Sequence, residues 1–251
     1  MLARVARIPN GYRELLIFAG AYLAYSFVRG VASGAEETAL QNAEWVMGVQ
    51  ESIGIGIERG VQQALIGLPV MDLMNWIYLI AQFAVVPVAL VWMYWRNRTG
   101  YLVLRTTLLT AWFIALPIYW LAPTAPPRLT GAGLIDTVNS QTPLALDSPL
   151  VTAFYNPFAA IPSLHAAFAF TVGIAIALVA TRSATRASGL LWGPIVALAV
   201  IATGNHFVLD ILLGLAVALA GAAVAFWIHV PEARPPRWRP TPVDAGGGDT
   251  G

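Results

Sequence analysis

Apolar residues run in long unbroken stretches along this chain, and polar residues are confined to the segments between them. The stretches lie near 14–33, 72–95, 102–122, 161–181, 189–204 and 207–229. A helix needs about 20 apolar residues to cross a bilayer, so the pattern predicts an all-α, polytopic membrane protein built as a six-transmembrane-helix bundle. Residues 34–71, in the first loop, are acidic and amphipathic. Here Glu37, Glu44, Glu51 and Glu58 recur every seven positions between Trp45, Val46, Ile53 and Ile57. That spacing predicts an outward-facing helix along the membrane surface, with the carboxylates as a solvated stripe. Segment 123–160 is rich in Pro, Thr and Ser and too polar to span. The expected organisation is one membrane catalytic domain over 1–230, followed by a disordered tail over 231–251 with Pro-Arg and Gly-Gly-Gly runs.

Charge orients the spans. Arg4, Arg7 and Arg13 precede the first stretch, Arg96, Arg98 and Arg105 follow the second, Arg182 and Arg186 follow the fourth, and Arg234, Arg237 and Arg239 lie in the tail. If the stretches alternate in direction, all these groups share one side, which the positive-inside bias makes the cytoplasm. Both termini are then cytoplasmic in a multi-pass protein of the cell membrane, and 34–71 and 123–160 face outward. Trp92, Trp95 and Trp227 suit an inner aromatic belt. A second reading makes the first stretch a signal peptide, since basic residues precede it and Ala32, Ser33, Gly34 and Ala35 end it. Arg29, close to that cleavage site, and the charge alternation favour a span.

Composition sharpens the class. Of 251 residues, 58% are hydrophobic and 11% charged, against about 25% charged in soluble domains. With a mean hydropathy of +0.68, an ordinary soluble domain and a disordered chain are both excluded. Cysteine is absent, which excludes disulfides, thiolate catalysis and Cys-based metal sites. No metal-ligand set is evident, and no cofactor or nucleic-acid partner is expected.

The chain has three histidines, His165, His206 and His229, and an ionisable group in a span is a functional candidate. His165 opens the fourth stretch and His206 the sixth, so both begin at the outer face and can meet. His229 closes the sixth, about 35 Å of helix away, and reads as an interfacial anchor. Asp210 follows His206 by four residues, so on a helix its carboxylate can take the imidazole N–H and fix the tautomer. Pro162 and Ser163 precede His165 at a helix start, whose free amides suit an anion. Arg128 lies just past the third stretch and Arg29 near the outer end of the first. Two guanidinium groups, two imidazoles, a carboxylate and helix-start amides at one membrane depth are what phosphoryl recognition requires. Plainer readings remain beside this one: Arg29 snorkels to headgroups, Arg128 caps a loop, and the His-Asp pair satisfies itself.

These residues carry a resemblance. APTAPPRL at 122–129, NPFAAIPSLH at 156–165 and TGNHFVLD at 203–210 resemble the three motifs of the type 2 phosphatidic acid phosphatase superfamily, most of all its inositol phosphorylceramide synthase-like branch. The resemblance covers roughly the last half of the chain plus the six-span layout. It implies that His206 attacks phosphorus to form a phosphohistidine, that Asp210 orients it, and that His165 protonates the leaving oxygen. It further implies that Arg128, the Ser163 region and Gly204 cradle the phosphoryl oxygens. The superfamily's phosphatases carry a Lys seven residues before the first-motif Arg, where this chain has Leu121. They carry an Arg six residues before the third-motif His, where it has Val200, and a Gly where it has Leu164. A reduced cation set fits a phosphodiester, with about one negative charge, better than a monoester with about two.

The reading that follows is an integral membrane phosphotransferase, moving a phospho-headgroup such as inositol phosphate from a phospholipid to a hydroxyl acceptor. A lipid phosphate phosphatase uses the same residues with water as acceptor. The expected partners are the membrane and a phospholipid or lipid phosphate substrate. Two other classes stand further off: an intramembrane serine protease with a Ser163–His206 dyad, and a non-catalytic lipid-binding or transport protein.

Overall fold

The computed structural model describes residues 10–32, 36–142 and 158–230. The tail expected over 231–251 lies outside them. Among the described residues the chain is all-helical, with one isolated backbone bridge between Thr124 and Ala159. The helices are α1 (Gly11–Ala32), α2 (Glu36–Ser52), α3 (Glu58–Leu65), α4 (Pro69–Ile80), α5 (Val86–Arg96), α6 (Arg98–Leu121), α7 (Thr137–Gln141), α8 (Leu164–Val179), α9 (Ser183–Ala202) and α10 (Val208–His229). A π-helical turn over Ala81–Val85 joins α4 to α5 without a break. Pro87 just beyond it has no amide with which to bond the Phe83 carbonyl, and the hydrogen-bond ladder slips there.

Four of the six expected stretches are helices long and apolar enough to cross a membrane: Pro69–Arg96, Arg98–Leu121, Ser183–Ala202 and Val208–His229. Of the other two, α1 is 22 residues long and α8 is 16. At about 1.5 Å per residue α8 extends roughly 24 Å, short of a hydrocarbon core of about 30 Å.

Small residues set the packing. A Cβ on Gly173 of α8 would lie 2.3 Å from the Gly189 carbonyl oxygen of α9, and one on Gly221 of α10 would lie 2.6 Å from the Thr107 carbonyl oxygen of α6. Backbones approach this closely only where side chains are absent, the usual device for joining helices that lipid cannot drive together. At one end of the bundle, Tyr101 donates to Glu14 Oε2 at 2.7 Å, Arg105 pairs with Glu14, and Thr106 Oγ1 lies 2.8 Å from His229 Nε2. At the other end lie the starts of α8 and α10 and the end of α6.

The first loop departs from a continuous striped helix. It breaks at Gly54, whose φ of +73° suits a residue without a side chain, into α2 and α3. One face of α2 buries Ala39, Ala43, Val46 and Gln50, so this helix packs on the bundle end. Glu37, Glu44 and Glu51 are exposed, whereas Glu58 is only 6% exposed. The seven-residue spacing does not carry through the turn, and Glu58 leaves the solvated stripe.

Candidate active site

The three motif segments are tied together through their backbones. Thr124 N donates to Phe158 O at 2.8 Å and Ala160 N to Thr124 O at 3.2 Å, joining the first to the second. Arg128 N donates to Gly204 O at 3.0 Å, joining the first to the third, and Ser163 N to Asp210 O at 2.9 Å, joining the second to the third. Gly204 sits at φ +68°, and a Cβ there would lie 3.2 Å from that of Arg128. The turn thus favours glycine both for its dihedral and for its neighbour. On α10, a Cβ at Gly214 would stand 2.3 Å from the Ser163 carbonyl oxygen, so the absent side chain is what admits the second motif.

His206 is 6% exposed and Asp210 fully buried. The imidazole Nδ1 lies 3.0 Å from the Ala160 carbonyl oxygen and 3.2 Å from Asp210 Oδ2. Both neighbours are acceptors, so the proton belongs on Nδ1 and the lone pair on Nε2. Asp210 Oδ2 also accepts from Phe207 N at 2.8 Å. Burial pushes the His206 imidazole down to about 3; the Ala160 carbonyl opposes that shift and the nearby Arg128 guanidinium reinforces it. His206 is therefore neutral at physiological pH, which a nucleophile requires.

His165, in the first turn of α8, meets His206 with ring centroids 5.7 Å apart. Its other face stacks on Tyr78 of α4, at 4.5 Å and 22°. The His165 Nε2 is buried and has no hydrogen-bond partner among the described residues. Arg128 spans two acceptors, with Nε donating to Asp136 Oδ2 at 2.9 Å and Nη1 to Asn205 Oδ1 at 2.5 Å. Arg29 belongs to α1, but its side chain lies outside what the structure describes.

The helix start at the second motif differs from expectation in one respect. Pro162 stands outside α8, and its carbonyl accepts from the Tyr119 hydroxyl at 2.7 Å. Ser163 is the N-cap, fully buried, and its Oγ accepts from Ala166 N at 3.3 Å. A hydroxyl engaged in capping is poorly suited to nucleophilic attack, and this weighs against a serine dyad.

Several residues not anticipated from the sequence support the site. Val208 N, at the start of α10, donates to Glu58 Oε1 and Leu209 N to Gln50 Oε1, each at 2.8 Å. Gln50 Nε2 donates to Glu58 Oε1 at 2.9 Å, so α2 and α3 cap the helix that carries Asp210. Gln62 Nε2 donates to Ala202 O at 3.0 Å and to Ile135 O at 2.9 Å, fixing the end of α9. Asn205, whose Oδ1 accepts from Arg128, was not singled out in the sequence either. Nothing in sequence marked Glu58 apart from three exposed glutamates at the same spacing.

The model of the PAP2 superfamily matches residues 44–224. The chain belongs to the PAP2 superfamily. That match runs from α2 through most of α10 and encloses all three tied segments. Membership suggests a phosphatase or phosphotransferase activity, and the apolar helices are consistent with a multi-pass membrane protein acting on a lipid-borne phosphate. No curated protein and no solved structure matches the chain. Among the described residues of this PAP2 protein, no group of three or more His, Asp or Glu side chains could hold a metal ion.

Proposed function

We propose that the chain is an integral membrane phosphotransferase that takes a phospho-headgroup from a phospholipid, holds it on His206, and passes it to a hydroxyl acceptor. The observation that carries this reading is the double anchoring of His206 Nδ1 by Ala160 and Asp210, with His165 facing the same ring. Nε2 attacks phosphorus as the bond to the leaving oxygen breaks, and His165 donates its proton to that oxygen. In the second half, His165 takes a proton from the acceptor hydroxyl, whose oxygen attacks phosphorus as the P–N bond breaks. Two half-reactions through one covalent intermediate give a ping-pong course. Arg128 and Arg29, with the backbone at Ser163 and Gly204, form the phosphate-binding set. Charge placed about the equatorial oxygens supplies most of the acceleration.

The inositol phosphorylceramide synthase-like branch is supported by the single in-motif cation. A diester brings about one charge and needs fewer counter-charges than a monoester. One domain over 1–230, six spans, cytoplasmic termini and an extracytoplasmic site in the cell membrane complete the reading, supported by the arginine distribution. The test offers purified protein radiolabelled phosphatidylinositol with a lipid alcohol, and separately a lipid monophosphate. A new labelled lipid from the first is the expected result. Free phosphate from the second, with no new lipid from the first, reassigns the protein as a phosphatase using the same residues. Undiminished turnover in His206→Ala would overturn the covalent mechanism.

A further inference from the structure

The cation of the first motif carries its own counter-charge. The Arg128 side chain is 3% exposed, and its Nε donates to Asp136 Oδ2 at 2.9 Å while Nη1 donates to Asn205 Oδ1. The buried carboxylates at this end of the bundle are turned to other donors: Asp210 Oδ2 accepts from Phe207 N, and Glu58 Oε1 from Val208 N. Among the described residues, Asp136 is the acidic side chain paired with a motif arginine.

That carboxylate is held in place. Asp136 caps α7, its Oδ1 accepting from Asn139 N at 3.1 Å and its Oδ2 from Asn139 Nδ2 at 2.8 Å. α7 is in turn fastened to α4. Thr137 Oγ1 donates to Asn75 Oδ1 at 2.8 Å, and Asn75 Nδ2, on a fully buried residue, reaches Thr137 O and Gln141 Oε1, each at 3.3 Å. On the other side of Asp136, Ile135 N donates to Gln62 Oε1 at 2.7 Å and Ile135 O accepts from Gln62 Nε2 at 2.9 Å. With the backbone pinned on α3 and on α4, the carboxylate stays beside Arg128 when an anion arrives. Its charge is a preorganised part of the site.

A fixed negative charge penalises an anion in proportion to the anion's own charge. A phosphomonoester carries roughly −1.5 to −2 at pH 7, and a phosphodiester about −1. We propose that Asp136 is a specificity-determining residue: its carboxylate, fixed against Arg128, selects monoanionic phosphodiester lipids over dianionic lipid monophosphates. The inference rests on the proposed phosphotransfer at His206 with Arg128 as a phosphate ligand, and names the group that reads substrate charge there. Leu121 and Val200, where cations were expected, weaken the pull on any phosphate. Asp136 acts in the same direction and separates the two classes.

The test uses the full-length protein in non-ionic detergent micelles and two lipids that share a leaving group but differ in charge: phosphatidic acid and its phosphate methyl ester, phosphatidylmethanol. With either lipid the bond from His206 Nε2 to phosphorus forms, the bond to the glycerol oxygen breaks, and His165 gives that oxygen a proton. The same diacylglycerol leaves, and its release is measured. Asp136→Asn keeps an acceptor for the α7 cap and removes the charge. The ratio of kcat/KM for phosphatidic acid to that for phosphatidylmethanol is expected to rise about tenfold, with the thermal midpoint little changed. Asp136→Ser, which also caps, is expected to give the same rise. An unchanged ratio in either active variant overturns the proposal and leaves Asp136 as a structural partner of Arg128. In a second arm the two lipids compete for His206→Ala, and for His206→Ala combined with Asp136→Asn, and native mass spectrometry reads the bound ratio without turnover. A shift toward phosphatidic acid is expected in the double variant, and equal ratios overturn the proposal. If the parent releases no diacylglycerol but the bound ratio shifts, the phosphotransfer reading falls and charge selection stands. If His206→Ala abolishes release while the ratio ignores Asp136→Asn, the phosphotransfer reading stands and this one falls.

Discussion

Asp210 Oδ2 lies 3.2 Å from His206 Nδ1 while accepting from Phe207 N at 2.8 Å. In Asp210→Asn an amide oxygen at the Oδ2 position keeps both contacts, but the ring loses the carboxylate charge behind its Nδ1–H, and the NH₂ falls where Oδ1 is buried without a partner among the described residues. Losing one charged hydrogen bond, about 1.5–3 kcal/mol, predicts a fall in turnover of about ten- to a hundredfold. Steady-state kinetics alongside thermal denaturation separates this from unfolding.

Arg128→Lys tests the planar fork. The guanidinium reaches Asp136 through Nε and Asn205 through Nη1 at once, and an ammonium cannot reproduce that geometry. Losing one charged hydrogen bond, about 1.5–3 kcal/mol, predicts a drop in kcat/KM of about ten- to a hundredfold. Full activity in Arg128→Lys would mean that the residue only caps its loop.

Glu58→Ala leaves Val208 N and Gln50 Nε2 without their acceptor. A buried donor left unsatisfied costs about 1–3 kcal/mol, so the thermal midpoint should fall. Because α10 carries Asp210, kcat should fall as well. Glu58→Gln keeps an acceptor oxygen and should recover most of both losses. If the two variants behave alike, the cap is not what holds α10.

Stability should depend on acidity through His206. An unfolded chain protonates it near 6.5, and the folded protein only near 3, because burial disfavours the imidazolium. Between those values the unfolded state binds more protons, so stability rises with pH across this window. The contribution is fully present above about 6.5 and is lost progressively as pH falls toward 3. Denaturation midpoints measured from pH 4 to 7 should slope less steeply in His206→Gln than in the parent, and parallel slopes would remove the effect.

Gly214→Ala should be disproportionately harmful for a single methyl group. Its Cβ would lie 2.3 Å from the Ser163 carbonyl oxygen, a backbone atom that cannot rotate away. Loss of activity together with a lowered midpoint is expected. Gly48→Ala, at a position with no atom within 4 Å, serves as the control and should be near neutral.

The apolar stretches made the long helices legible because length and hydropathy act over many residues at once. The His206–Asp210 contact was expected from helical spacing, but His206 lies two residues before α10, and Asp210 meets it by reaching back over the helix start, where it also accepts from Phe207 N. Tertiary relations were not legible. Glu58 shares its spacing with three exposed glutamates, and only the turn at Gly54 brings it under α10. Tyr78 is one aromatic among many in an apolar helix, and its stacking on His165 depends on how α4 leans against α8. Pro162 looked like a first-turn residue, but capping by Ser163 moves the helix start two positions later.

The two helix starts at the site are dressed differently. On α10 the leading amides are consumed in turn by Asp210, Glu58 and Gln50, all three from buried side chains. An incoming anion would find an oxygen-rich collar there. On α8, capping by Ser163 involves the Ala166 amide, and the amides of Leu164 and His165 precede the first position with an intrahelical acceptor. Under the proposed phosphotransfer, a phosphoryl group at this rim would be offset toward α8, with the His206 ring on its flank. The asymmetry of the collars would then set the side from which nitrogen approaches phosphorus, and with it the side through which the leaving group departs.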